Sequence, residues 1–339
     1  MKVLVTGGTG LVGSHAVAAL AERGHELKLL VRRPDRIGPA LDPLGVPHPE
    51  HVVGDVTDPI AVERAMEGCD AVFHGAAVYS LDSRDAERIR RTNVPAARTV
   101  LWTASRLGMD PIVYVSSFTA LFPPNGRLLA PDSPVSRPGA TYADSKAQAE
   151  LVARSLQAEG VPIASVYPGV VLGPHDPHLG DNHQIIRNVL RGLVPAGPAG
   201  GGTVWVDVRD VAAIVAAAME PGRGPRGFMA GSEYATFGEI VATLGSLTGR
   251  RLQVAAMPVR AMLAMGRAGS ALQRSLPWRL PINFEGLYTL TLHAHCDDSR
   301  TRDELGVRVR DLRGTLEATV RWLAGRGHLT ARQAGRLAR

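Results

Sequence analysis

The chain has 339 residues, enough for about two domains at about 150 residues each, or for one large α/β unit with an added lobe. Hydrophobic residues make up 45% and charged residues 21%, which excludes disordered and fibrous classes. The net charge of +6 is accounted for by ten arginines and four acids between residues 300 and 339; the rest of the chain is neutral, so a nucleic-acid partner is not expected.

Aromatic residues are only 5%, so the core must be built from Val, Leu, Ile and Ala. Two cysteines, Cys69 and Cys296, cannot make a disulfide framework, and no Cys/His cluster has zinc spacing, so no metal is expected. There is no apolar run of about 18 residues, and the first strand leads directly into a glycine loop. The expectation is a soluble, cytoplasmic protein without an integral membrane segment.

The first half alternates short apolar runs with helical patterns. Strands are predicted at 2–6, 26–32, 51–54, 70–74, 111–115 and 163–167. Helices are predicted at 11–23, 59–67, 84–107 and 142–159. This alternation predicts an α/β fold, a Rossmann-like doubly wound parallel sheet buried by helices on both faces. The second half is less regular. A Pro/Gly-rich loop is expected at 195–202, a strand at 203–208 and a helix at 211–219. A helix near 237–247 and a strand near 252–255 follow. The apolar stretch 259–276, with arginines at 260, 267 and 274, reads as a lid or core helix, the alternative being an interfacial amphipathic one. The predicted organisation is a dinucleotide-binding domain over 1–168, to which 203–220 returns. A smaller, mixed C-terminal substrate lobe takes 169–202 and 221–325, and a basic tail covers 326–339.

Thr6-Gly7-Gly8-Thr9-Gly10-Leu11-Val12-Gly13 follows the first strand and opens the first helix. Gly8, Gly10 and Gly13 fit one dinucleotide spacing; Gly7, Gly10 and Gly13 fit a wider one. Either way the glycines permit a tight turn and close approach of a pyrophosphate to free N–H groups at a positive helix end. An acid at the end of the second strand would hold an NAD ribose, but the sequence there is Val31-Arg32-Arg33-Pro34-Asp35-Arg36. A guanidinium binds a 2′-phosphate with a charge-assisted fork, so NADP(H) is the expected cofactor and NAD(H) the alternative. Arg32 is the main contact in this reading, with Arg33 or Arg36 assisting. Asp55 is placed to accept from the adenine amino group.

Tyr142 and Lys146 are four residues apart and share one helix face. A neighbouring ammonium is expected to lower the phenol pKa and suit it to proton transfer. Ser116-Ser117 ends the fifth strand, at the carboxyl edge where open α/β sheets place their sites. A serine there can hold a carbonyl oxygen.

These residues, with Gly54-Asp55-Val56, Phe73-His74-Gly75-Ala76-Ala77, Asn93, Pro168-Gly169 and Val208-Arg209-Asp210-Val211, resemble the extended short-chain dehydrogenase/reductase family, also described as the NAD(P)-dependent epimerase/dehydratase superfamily. The likeness is most specific through residue 175. It implies a catalytic triad of Ser117, Tyr142 and Lys146, Ser117 lying at the usual interval of about 25 residues before the tyrosine. It also implies cofactor contacts from Gly7, Thr9, Gly10, Leu11, Val12, Val56, Ala76, Ala77, Pro168, Gly169 and Val171, with Lys146 on the nicotinamide ribose.

The Val31-Arg32-Arg33-Pro34 turn is similar to that of the dihydroflavonol-reductase and cinnamoyl-CoA-reductase branch. Nucleotide-sugar epimerases and dehydratases usually carry an acid there and an asparagine–proline pair where this chain has Tyr167-Pro168. The family's usual histidine before the Val208 motif is Asp207 here. The implied reaction is NADP(H)-dependent interconversion of a carbonyl and a secondary alcohol. An NAD-dependent nucleotide-sugar epimerase or dehydratase is the alternative, and a non-enzymatic dinucleotide-sensing regulator the remote one. Substrate choice is expected from residues 79–85, 118–125, 179–186 and 260–290, including Trp278 and Phe284. Phe122-Pro123-Pro124 and the apolar stretch suggest a lipophilic substrate. The family forms homodimers through the helices at 84–107 and 142–159, so a homodimer is expected.

Overall fold

The computed structural model describes residues 1–121, 128–137, 139–231, 233–273, 284–291 and 293–338. Phe122, Pro123, Pro124, Trp278 and residues 274–276 of the apolar stretch lie outside the described residues. The first half runs β1 (Lys2–Thr6), α1 (Leu11–Glu22), β2 (Glu26–Val31), α2 (Ile37–Leu41), β3 (Glu50–Val53), α3 (Pro59–Met66), β4 (Ala71–His74), α4 (Ala86–Arg106) and β5 (Ile112–Val115). It continues through β6 (Leu128–Leu129), α5 (Thr141–Ala158), β7 (Ile163–Pro168) and β8 (Val170–Leu172).

Side chains in these strands alternate between two cores, as the period of two requires. Val5, Leu29, Val31, Phe73 and Val113 face α1, with Val17 and Leu20. Leu4, Leu30, Val72, Ile112 and Tyr114 face α3, α4 and α5, with Val62, Met66, Val100, Leu101 and Leu156. Both faces are covered, which is why the strands read as nearly continuous apolar runs.

The second half runs α6 (Asp181–Leu190), β9 (Ala196–Ala199), β10 (Gly202–Asp207), α7 (Val208–Ala218), β11 (Arg226–Ala230), β12 (Glu233–Thr236), α8 (Phe237–Thr248) and β13 (Ala255–Pro258). It ends with α9 (Val259–Gln273), α10 (Phe284–Thr291), β14 (His295–Cys296), α11 (Ser299–Leu305), α12 (Leu312–Gly325) and α13 (Ala331–Ala334). The main sheet has seven parallel strands in the order β11-β7-β5-β4-β1-β2-β3. Its order reverses between β1 and β4, the switch point where such sheets open a crevice.

The boundary between lobes differs from the predicted one. Residues 226–230, expected with the substrate lobe, form β11 at the edge of the main sheet, where Phe228 is fully buried. Of the segment expected to return, α7 packs Val211, Ile214 and Val215 into the core that α1 shares, and Val206 of β10 joins them there. Its strand β10 pairs instead with β8 and β12 in a separate three-stranded sheet. The 195–202 loop contains β9, and the strand expected at 252–255 lies at Ala255–Pro258, paired with β9. Neither short strand has the alternation that reveals a longer one.

The residues after 325 do not form a detached tail. Thr330 and Gln333 make a capping box that starts α13. Leu329, Ala334 and Leu337 are buried in the second-lobe core with Leu244, Leu247, Leu316 and Leu323. Arg326, Arg332 and Arg336 stay exposed, so a basic sequence covers an apolar floor.

Candidate active site

The glycine loop joins β1 to α1 at the switch point between β1 and β4. Gly7 has φ +78°, and a Cβ there would stand 2.6 Å from the backbone nitrogen of Ala76. A Cβ on Gly13 would overlap the Gly7 carbonyl oxygen. The close backbone contacts of the loop are therefore those of Gly7 and Gly13; a Cβ on Gly10 would meet the Gly7 carbonyl oxygen only at 3.4 Å, and one on Gly8 would pack against the side chains of Leu29, Val5 and Val17 at 3.1, 3.2 and 3.3 Å. Gly10 caps α1 with no side-chain hydrogen bond, so the first-turn N–H groups of Leu11 and Val12 are left for a ligand. This cradle, which side chains would fill, fits a dinucleotide pyrophosphate.

The other expected cofactor residues stand at the same carboxyl edge of the sheet. Arg32 follows β2 with a side chain 62% exposed, 3.9 Å from the Asp55 carboxylate beyond β3. Asp55 accepts from the Thr57 amide at 2.9 Å and the Thr57 hydroxyl at 2.7 Å, and these bonds hold its carboxyl below the usual range against the opposing effect of burial. Arg33, expected to assist Arg32, is committed to a fork on Asp35 with a 2.7 Å ion pair. Val56 is buried, and Ala76 and Ala77 follow β4. Pro168 ends β7. The Gly169 amide bonds to the Ala230 carbonyl, and a Cβ at Gly169 would stand 2.6 Å from the Val204 carbonyl oxygen. Val171 is the middle residue of β8.

Ser117 follows β5, while Tyr142 and Lys146 occupy the first two turns of α5. The two serines face different partners. Ser116 Oγ donates to the Glu150 carboxylate at 2.7 Å. Ser117 Oγ accepts from the amide and hydroxyl of Thr119 and also interacts with the Tyr142 phenol. Burial pushes the Tyr142 phenol well above its ordinary pKa, and the Ser117 bond only partly opposes this. That reverses the expected lowering. Lys146 is itself buried and pushed down to about 8, with Glu150 opposing that fall. Its ammonium donates to the Val115 carbonyl at 2.9 Å, so it is anchored to the strand end. Desolvation of the phenol outweighs any help from the neighbouring charge.

Three further side chains brace these residues, and of them Glu150 has little signal in the sequence. Glu150 is fully buried and accepts from Ser116, from the Tyr167 hydroxyl at 2.7 Å and from Arg154 at 3.0 Å. Its only hint is its position one helical turn beyond Lys146. Asn93 clamps the backbone of Val78 through both amide atoms and donates to Ser145. Tyr79 places its ring edge-on to Tyr142 with centroids 4.9 Å apart, and donates to Asn182 at 2.7 Å. The partners of Tyr79 and Asn93 are far apart in the chain, so no local pattern reveals them.

Comparison with known proteins gives consistent results. Residues 3–231 match the model of the NAD dependent epimerase/dehydratase family. The chain is 32% identical over 340 residues to sterol demethylase protein B of Methylococcus capsulatus, covering 96% of this chain and 99% of that protein. It is 31% identical to a putative dihydroflavonol 4-reductase of Synechocystis, covering 96% and 95%. The crystal structure of gox2253 superposes with a TM-score of 0.80 at 29% identity, covering 97% of this chain and 99% of that one.

Proposed function

The chain belongs to the NAD dependent epimerase/dehydratase family, the extended short-chain dehydrogenases/reductases, and from that premise we propose that it is an NADP(H)-dependent reductase of a lipophilic carbonyl compound. The observation that carries this reading is the Tyr142 phenol, kept neutral by burial and set beside Ser117 at the sheet's carboxyl edge. A neutral phenol is an acid able to give its proton to a carbonyl oxygen. Ser117 orients that oxygen by a hydrogen bond. Lys146, tied to the end of β5, offers its remaining donor hydrogens to the cofactor ribose and to the phenolate left after proton transfer. When bound, the nicotinamide supplies the hydride, and the chain supplies position and electrostatics. The first-turn amides of α1 and the backbone of Gly7, Thr9 and Gly10 hold the pyrophosphate in this reading. Ala76, Ala77, Pro168, Gly169 and Val171 line the nicotinamide half.

Arg32 supports the 2′-phosphate because it is an exposed cation at the end of β2. The lipophilic substrate is supported by relatives named for a sterol and for a dihydroflavonol. A homodimer through α4 and α5 is supported by Trp102 and Leu151, which are 58% and 48% exposed there while Leu101 faces the sheet. Gel filtration of the wild type and of Trp102→Glu with Leu151→Glu tests it; a monomeric wild type rejects it.

The test of the function is an equilibrium titration of nucleotide-free protein with NADPH and NADH, followed by a screen of ketones for NADPH oxidation. NADPH is expected to bind at least about tenfold more tightly, a difference of about 1.4 kcal/mol that Arg32→Ala removes. NAD that stays bound through purification, together with turnover of a nucleotide sugar without net redox, would replace this reading by the epimerase or dehydratase one.

A further inference from the structure

Among the described helices none is long and apolar enough to cross a membrane, yet α9 has an unusual surface. Its inward positions, Met262, Gly266 and Gln273, are buried. Its outward arc is Ala261, Ala264, Met265, Ala268, Ala271 and Leu272, all exposed, with Met265 at 41% and Leu272 at 56%. A helix on the surface of a soluble protein ordinarily turns polar side chains outward. Here the outward arc carries none. Arg260 and Arg267 lie seven residues apart along one edge of it, both exposed. Between residues 240 and 273 the sequence has four arginines and no Asp, Glu or Lys.

We propose that this face of α9 docks on an anionic lipid bilayer, with the apolar arc in the headgroup–acyl boundary and Arg260 and Arg267 on lipid phosphates. Arginine suits that place, because its stem lies along apolar surface while its guanidinium reaches the polar layer. The charge pattern favours a bilayer over other occupants. A two-fold contact with a second copy would bring the same arginines toward one another without an acid in the helix to meet them. A nucleic acid would meet alanine, methionine and leucine where it needs cations and aromatic rings.

The helix is also joined to the candidate site. The Ser270 carbonyl accepts from Ser83 Oγ at 3.2 Å, and Ser270 Oγ accepts from the Phe284 amide. Arg267 lies over the Phe284 ring at 5.0 Å. Ser83 belongs to the same short segment as Tyr79, whose ring touches Tyr142. A bilayer on α9 therefore adjoins the segment that walls the phenol. What the bilayer delivers to it rests on the proposed reductase reading; the docking itself does not.

The test is co-sedimentation of the purified full chain with phosphatidylcholine vesicles, with and without phosphatidylglycerol. Binding to the anionic vesicles is expected to exceed binding to the neutral ones at least about tenfold and to weaken with salt. Met265→Asp with Leu272→Asp should reduce binding at least about tenfold, and Arg260→Gln about fivefold. Thermal melting and gel filtration should be unchanged in both, since these side chains are exposed. Equal binding to both vesicle types, binding indifferent to these substitutions, or a change in oligomeric state on substitution overturns the proposal. Vesicle binding is read without nucleotide or ketone, and NADPH affinity should be equal in the wild type and the Met265/Leu272 variant, so docking and the reductase reading fail separately.

Discussion

The two lobes solve the same packing problem in different ways. In the first, seven parallel strands of four to six residues alternate their side chains between two cores. Each expected cofactor or catalytic residue there stands on, or within a few residues of, the carboxyl end of a strand or the start of a helix. In the second lobe the strands number as few as two residues, lie in three small sheets, and are closed by helices far apart in the chain. The difference separates two kinds of specification. Cofactor chemistry is placed by where a strand stops, which is local. The wall proposed to face the substrate depends on which distant segments meet, as when Tyr79 reaches Asn182 and the Leu81 amide bonds to the Asp181 carboxylate at 2.7 Å.

Three substitutions sharpen this contrast. The largest effect is expected from Tyr142→Phe, which removes the proton donor and leaves the ring. Turnover should fall about a thousandfold, within the usual range for a general acid. Nucleotide affinity should be unchanged, and retained turnover would remove the phenol from the chemistry.

Leu337→Ala tests the second lobe. It empties a buried position in a core that also holds Leu247 and Leu323, and should cost about 3 kcal/mol in urea unfolding. NADPH affinity under native conditions should stay at the wild-type value, because the cradle belongs to the other lobe. A matching loss of nucleotide binding would show that the lobes are energetically one.

A smaller effect should come from His74 at the end of β4. It is fully buried against Tyr114, with Nδ1 2.7 Å from Thr6 Oγ1. Burial, aided by the Lys146 charge, pushes its imidazole down to about 3. The unfolded chain takes up this proton near pH 6.5 and the folded chain does so near 3, so the stabilisation is present above pH 6.5 and is lost as pH falls toward 3. At about 1.4 kcal/mol per unit, the loss should reach about 2 kcal/mol by pH 5. Urea midpoints at pH 7 and pH 5 should differ less in His74→Asn than in the wild type; an equal difference would assign the pH dependence to other groups.

The sequence made the first lobe legible because one period governs each element. Apolar runs mark strands covered on both faces, and Gly13 is required by a contact with Gly7 inside the same loop, whereas the demand for Gly7 also comes from the Ala76 backbone beyond β4. The spacing of Tyr142 and Lys146 was equally readable. The sign of the phenol's shift was not, because it depends on how much water the finished fold removes around Tyr142. Glu150 is not readable because its partners come from the residue after β5, from β7 and from its own helix. The membership of residues 226–230 in the main sheet is not legible in the sequence, since it depends on the pairing of β11 with β7 across some sixty intervening residues, a crossover that no local period encodes. In the second lobe, β9 and β13 are too short for alternation to show.

The burial of Leu329, Ala334 and Leu337 bears on the order in which the polypeptide is made. These side chains complete a core whose earlier walls, α6 and α8, leave the ribosome well before them. The parallel sheet has all its strands once residue 230 has emerged, so the nucleotide cradle can assemble while synthesis continues. The second lobe must wait with Leu244 and Leu247 uncovered until the last helix arrives. That interval is when the nascent chain is most exposed to chaperone capture and to premature association, and a stall after residue 325 would leave a finished parallel sheet beside an unfinished second lobe.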